Sequence, residues 1–241
     1  MFANEEKVFT RSTLSTRLYE ALKDRILEGD APQGSILDET LLSRYYEVSR
    51  NVVRDALLML TESRLVTKEP HRPASVRILT DEDVCDIFDV RLALELLAVE
   101  KTTFDESNIA KLRPILTLER KAVDDRIIKN YVGVDNYLHM TLVGLSGNKT
   151  LVDLFQLLRD QIQLARVVMT RKRPQRMEEA HQDHMALVAA LSDQRIDDAK
   201  TILEKHIESA KLATLGGCEN ARNPQDQFIP EFLRALVEDK K

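Results

Sequence analysis

Asp135 and His139 stand four residues apart, so on a helix both side chains reach the same point one turn apart. His184 and His206 lie further along the chain, each on an apolar stripe of helical period. His184 precedes Leu187, Val188 and Leu191; His206 follows Ile202 and Leu203 and precedes Ala210 and Ala213. Three imidazoles and a carboxylate converging inside a helical bundle suit a divalent ion: Zn²⁺, Ni²⁺ or Mn²⁺. The competing reading of each inward histidine is a hydrogen-bonded core residue, and His181, three before His184, offers a rival pairing nearer the edge of its stripe. A second group points to different chemistry. Arg50 and Arg54 flank Asn51 and Val52 at the start of a short amphipathic segment whose other face carries Val53, Ala56, Leu57 and Leu60. Guanidinium groups so placed suit bidentate contact with guanine O6 and N7, or phosphate clamping; Asn51 suits phosphate or adenine, and Val52 a thymine methyl. A solvated helix face is the plain alternative.

The elements that must position these groups follow from periodicity and punctuation. Residues 14–28 repeat apolar residues at Leu18, Ala21, Leu22, Ile26 and Leu27, and Gly29 follows as a stop. After the turn "DAPQGS", the segment "LDETLLSRYY" reads as a short second helix, and Ser49 caps a third running to about Ser63. Two β-like runs, Leu65–Lys68 and Ser75–Leu79, flank a Pro-containing tip and make a hairpin. Three helices and a hairpin form a winged helix-turn-helix, whose recognition helix faces base edges with its N-terminal residues. The sequence "TDED" opens a new helix at Thr80, and six helical segments follow near 81–103, 106–127, 130–145, 148–171, 175–193 and 195–214. Their short connections imply an antiparallel all-α bundle. The expected organisation is therefore a mainly α protein: a winged helix-turn-helix over 1–79, a helical domain over 80–215, and a C-terminal tail over 216–241 with a short helix in "IPEFLRALVEDKK".

Composition narrows the class. The 241 residues hold only seven Gly and seven Pro and carry a net charge of −5. Residues 1–79 balance 12 basic against 12 acidic side chains, while the remainder carries 23 against 28. Any DNA binding must come from where charges sit and not from their sum. There is no membrane-length apolar run and no signal-like N-terminus, and the two cysteines show no CxxC spacing; a cytoplasmic protein is expected.

The stretch from Leu18 to Val76 resembles the DNA-binding domain of the GntR family of bacterial repressors. Ile26, Gly29, Leu37, Glu39, Leu42, Val48-Ser49-Arg50, Val53-Arg54, Ala56-Leu57, Leu60 and Leu65-Val66 fall in register with its pattern. Three departures stand out: "APQG" replaces Pro-Gly, Ser63-Arg64 replaces Glu-Gly, and the wing tip "HRPAS" lacks the usual glycine, leaving His71 and Arg72 to reach phosphate. Residues 80–214 resemble the FCD effector domain of the FadR branch, through Arg91 with Leu94-Glu95, Asp135, His139, Gly147-Asn148, His184-Met185-Ala186-Leu187 and His206. The resemblance to metal-type members implies Asp135, His139, His184 and His206 as ligands and a small organic acid as effector, with Arg91 and Asn148 at the effector. An internal Arg91–Glu95 pair is the other way to satisfy that arginine. The implied protein is a homodimeric regulator on a pseudo-palindromic double-stranded operator; a metal-dependent enzyme and a purely structural metal site are the alternatives.

Overall fold

A computed structural model describes residues 3–215 and 228–238, and the chain divides into two compact units: residues 1–78 with 220–241, and residues 79–219. In the first unit, α1 spans Ala3–Glu28 and begins earlier than the apolar stripe alone suggests. Leu18, Leu22 and Ile26, spaced by four, bury their side chains. Gly29, at φ +79°, ends the helix by taking a left-handed conformation that side chains disfavour. Asp38 caps α2 (Glu39–Tyr45), its Oδ1 accepting from the amides of Thr40 and Leu41 at 2.8 and 2.9 Å. Ser49 caps α3 (Arg50–Glu62), as expected from its sequence.

The hairpin gains a third strand. β2 (Val66–Thr67) and β3 (Ala74–Val76) pair antiparallel, and β1 (Ile36–Leu37) joins the other edge of β3, giving the order β1-β3-β2. Two residues are too few to show an alternating pattern, so the sequence merged β1 with the helix after it. Both glycine departures fall where the backbone is left-handed: Arg64 at φ +58° and His71 at φ +63°. Arg64 follows α3 in a Schellman arrangement, with the Leu65 amide bonded to the Leu60 carbonyl at 3.0 Å.

The C-terminal segment belongs to this unit. Phe228 forms a parallel bridge with Ser35, and its carbonyl accepts from the Ile36 amide at 2.8 Å. α10 (Glu231–Glu238) packs on α2, with Leu233 fully buried and Phe232 stacked under the Arg25 guanidinium at 4.2 Å. Residues 216–227 and 239–241, the remainder of the expected tail, lie outside the described residues.

The second unit is an antiparallel helical bundle: α4 (Asp81–Lys101), α5 (Glu106–Asp124), α6 (Ile128–Leu145), α7 (Lys149–Lys172), α8 (Arg176–Ser192) and α9 (Ile196–Thr214). Thr80 and Asp83 form a reciprocal capping box at its start. α4 packs against α6, α7 and α9, while α5 packs against α6 and α8 and α8 against α9. Polar side chains placed inward on these helices therefore meet in one interior.

Candidate metal centre and nucleic-acid interface

Asp135 and His139 of α6, His184 of α8 and His206 of α9 are all buried, and one donor atom from each lies within 4.8 Å of the others. The carboxylates behind them set the chemistry. His139 Nδ1 lies 2.6 Å from Glu95 Oε2 of α4, His184 Nδ1 2.8 Å from Glu119 Oε1 of α5, and His206 Nδ1 3.2 Å from Asp183 Oδ2 of α8. A carboxylate only accepts, so each Nδ1 carries the proton and each Nε2 presents a lone pair. The Nε2 atoms of His184 and His206 face each other at 3.1 Å, and His139 Nε2 is buried without a hydrogen-bond partner, 3.7 Å from Asp135 Oδ2. Two lone pairs so close repel unless a cation lies between them. Nitrogens about 2.0–2.1 Å from one Zn²⁺ at a tetrahedral angle are about 3.3 Å apart, so the spacing and donor set fit a shared divalent ion.

Protonation supports that fit. Burial brings His139 down to about 4 against the opposing pull of Glu95, and burial with the neighbouring imidazoles takes His206 well below the usual histidine range. Burial alone would raise Glu119, but His184 and His181 outweigh it and hold the carboxyl below its ordinary value. Glu95 is likewise held down to about 2, burial being overcome by His139 and Arg91. At neutral pH His139 and His206 are thus held neutral, with carboxylates behind them.

Two buried arginines flank the cluster. Arg91 of α4 is 1% exposed; its Nε donates to Glu95 Oε1 at 2.7 Å, while Nη1 and Nη2 have no partner. The internal pair and a cation left to be satisfied are therefore both present. Arg166 of α7 makes a two-pronged ion pair with Asp135, Nη2 to Oδ1 at 2.6 Å and Nη1 to Oδ2. Tyr131 adds a longer contact from its hydroxyl to Asp135 Oδ1, 3.3 Å. Beside these groups lies a cavity of about 10 Å³ lined by Tyr131, Arg166, Met177, Ala180, His206 and Ala210, among others. His181 is buried too, but its Nδ1 faces Glu119 Oε2 at 2.8 Å, outside the four-residue cluster. Asn148 is not in this interior: it is exposed, and its Oδ1 accepts from the Leu151 amide at the start of α7. Its polar side chain serves the helix end that the Gly147 turn leaves open, and the sequence assignment to the effector is corrected accordingly.

Sequence reading missed Glu119, Asp183 and Arg166. A signal for Glu119 exists: it falls on the α5 stripe with Leu112, Ile115 and Ala122, an acid on an inward phase. Arg166 similarly follows buried Ile162 and Ala165.

In the first unit, Arg50, Asn51 and Arg54 are exposed at the start of α3. Arg54 Nε donates to Glu39 Oε2 at 2.7 Å, and Lys68 Nζ meets the other oxygen of Glu39 at 2.7 Å. Val52 is a correction: it is 4% exposed, because its phase continues through Ala56 and Leu60 into the core, so it has no face for a thymine methyl. Arg72 is exposed on the wing and paired with Glu69 at 2.9 Å.

A winged helix-turn-helix joined to an all-helical unit with a buried polar centre defines a DNA-reading regulator with a sensor domain. Residues 14–76 match the family described as bacterial regulatory proteins, gntR family, and residues 86–209 match the FCD domain. The chain belongs to the GntR family of transcriptional regulators, in the group that carries an FCD domain. It is 30% identical over 159 residues to the HTH-type regulator YdhC of Bacillus subtilis, covering 63% of this chain and 69% of that one. It is 28% identical over 179 residues to the Nta operon transcriptional regulator of Aminobacter aminovorans, covering 73% and 82%. A GntR regulator structure from Rhodococcus sp. RHA1 superposes with a TM-score of 0.73 at 25% identity, over 84% of this chain and 97% of that one. Family and relatives are regulators and not enzymes.

Proposed function

We propose that this regulator senses a small organic acid through a divalent ion held by Asp135, His139, His184 and His206. The observation that carries the reading is the set of three imidazoles whose Nδ1 atoms all face carboxylates while His184 and His206 oppose their Nε2 atoms at 3.1 Å. Zn²⁺, Ni²⁺ and Mn²⁺ all suit this donor set. When bound, such an ion supplies a Lewis-acid anchor for one carboxylate oxygen. The unpartnered Nη groups of Arg91 supply donors for a second oxygen. Glu119 and Glu95 are each engaged by imidazole N–H groups, so neither is a ready base for activating water.

Arg50, Asn51 and Arg54 read the operator from α3 and Arg72 contacts phosphate from the wing, with Glu39 engaging Arg54 through its Nε. The regulator acts as a C2 dimer on a pseudo-palindrome. The packed helices α4 and α7 expose Val90, Leu97, Leu154 and Leu157, the last 70% exposed, and this apolar surface suits a second copy. Leu157→Glu should then shift sedimentation from dimer to monomer; an unchanged dimer would move the interface elsewhere. An effector favouring one arrangement of the dimer by a few kcal/mol suffices to change operator occupancy.

The test is metal analysis of the purified protein beside His184→Ala, with melting curves against a panel of carboxylic acids. About one ion per chain, lost in the variant, and a melting shift from an acid support the reading. An ion content unaffected by His184→Ala overturns it.

A further inference from the structure

We infer that Glu39 is a positioning residue for DNA reading: its carboxylate holds Arg54 ready for a base edge and withholds Lys68 from phosphate, raising sequence preference while lowering general affinity. The inference rests on the reading of DNA by Arg54. Glu39 opens α2, Arg54 lies on α3 and Lys68 directly follows β2, so one side chain joins the two helices of the reader to its wing. Its Oε2 accepts from Arg54 Nε at 2.7 Å, and its Oε1 from Lys68 Nζ at 2.7 Å. Neither cationic group has another partner among the described residues. The Glu39 side chain is 24% exposed against 57% for Arg54 and 42% for Lys68, so the anchor is largely covered and the cations are open. The Lys68 ammonium, joined by Arg54, holds the Glu39 carboxyl below its ordinary value against partial burial. The other acid of the wing, Glu69, pairs with Arg72 three residues on and joins no two elements.

An acid on this surface needs a reason, because it repels the phosphates that the same surface must approach. Folding stability is a weak one, since ion pairs between exposed side chains contribute little. Order is a better one. A free arginine loses side-chain freedom when it grips a base edge, and holding its Nε beforehand reduces that loss. The Nη groups of Arg54 still have N–H donors for guanine O6 and N7. Lys68 carries the opposite risk. An ammonium on a flexible stem meets any phosphate whatever the sequence, so a free Lys68 would strengthen wrong sites and right ones alike. Paired with Glu39, its charge is offset until DNA competes for it. The two effects act together on the ratio of specific to general binding, which decides how a regulator is distributed over a genome.

The experiment is anisotropy titration of the full-length protein at several salt concentrations, on a duplex selected from a randomised library and on a scrambled duplex of the same composition. Glu39→Gln should bind the scrambled duplex about two-fold or more tightly, with a salt slope steeper by about 0.9 as Lys68 takes one more phosphate. The ratio of selected to scrambled affinity should fall at least about five-fold. Lys68→Met should keep that ratio near wild type, because Arg54 stays held. Adding Glu39→Gln to Arg54→Ala should lower the ratio no further than Arg54→Ala alone, since Glu39 acts through that arginine. An equal fall on both duplexes would make Glu39 merely structural and overturn the inference, as would an unchanged ratio. Loss of preference at a base pair that Arg54→Ala leaves untouched would make Glu39 a reader of cytosine in its own right, and also overturns it. If Arg54→Ala lowers the ratio and Glu39→Gln does not, the reading by Arg54 stands and only the inference falls; if Arg54→Ala leaves the ratio unchanged, both fall. Should Glu39→Gln not fold, Glu39→Asp decides: it keeps the charge but loses reach, so scrambled affinity should stay near wild type while the ratio falls, and an unchanged ratio overturns the inference.

Discussion

Glu119 holds two imidazoles at once, and replacing it with glutamine tests whether the carboxylate layer creates the metal-binding state. Its oxygens lie 2.8 Å from Nδ1 of His184 and 2.8 Å from Nδ1 of His181, and the group is wholly buried. Glutamine is nearly isosteric but offers one carbonyl and one NH₂. That NH₂ must face one of the two Nδ1 atoms. If it faces His184, the ring can accept only by moving its proton to Nε2, which removes the lone pair from the cluster. If it faces His181, that ring must make the change and His184 keeps a neutral acceptor in place of an anion, which weakens its Nε2 as a donor. Loss of a charged, buried hydrogen-bond acceptor costs about 1.5–3 kcal/mol of folding stability. Loss of an outer partner of a metal-bound histidine costs about 10–100-fold in metal affinity. Competition against a chromophoric chelator measures the second quantity, and urea unfolding in the presence of EDTA measures the first. Glu95→Gln should behave similarly, because His139 depends on it in the same way. Asp183→Asn should cost less, since that carboxylate is partly solvated and sits 3.2 Å from its ring. His181→Asn is the control: it disturbs the same glutamate without touching the cluster, and should leave metal affinity near wild type. A folded Glu119→Gln protein with wild-type zinc affinity would refute the reasoning.

Arg54→Ala should lose about 1–3 kcal/mol of base discrimination on duplexes selected from a randomised library, whereas Arg72→Ala should weaken all duplexes alike and reduce the salt slope by about one; the reverse pattern in anisotropy titrations would exchange the roles. Leu233→Ala removes a fully buried side chain of α10 and should destabilise the first unit by about 2–5 kcal/mol in urea unfolding; a change near zero would mean that α10 contributes no packing. Arg64→Gly relieves a left-handed residue at φ +58° and should stabilise by about 1 kcal/mol, read as a raised Tm, with a lowered Tm counting against it. His139, at about 4 in the folded protein, binds fewer protons there than unfolded, so the metal-free protein should lose stability as pH falls through the window from about 6.5 to about 4, by about 3 kcal/mol in all. Stability that is flat or rising between pH 7 and pH 5 would contradict a neutral, buried His139.

The helical bundle was readable because its punctuation is strong: Thr80 with Asp83, Asp105, Gly147 and Asp193 all stand at element ends, where propensity and capping agree. The four cluster residues were readable from phase, since each shares a stripe with apolar neighbours. Their carboxylate partners were harder to see. Acids abound on solvated helix faces, and only the stripe shared with Leu112 and Ile115 marks Glu119 as different. Val52 misled because the start of a recognition helix is expected to face outward, yet its phase belongs to the core of α3. The two missing glycines showed only as pattern departures; their backbone angles explain why glycine suits those places. Packing of α10 on α2 was invisible, because no local pattern names a partner almost two hundred residues away.

That last contact bears on how such regulators can be recombined. The first unit is discontinuous in sequence, with residues from both ends of the chain. Cutting at residue 79 and fusing the front piece to a foreign sensor would leave the edge of β1 without Phe228 and the niche of Leu233 bare. A transplant that carries residues 228–238 along with 1–78 keeps the reader whole. On this plan, exchange of the sensor is an exchange of the middle of the chain and not of everything behind residue 79.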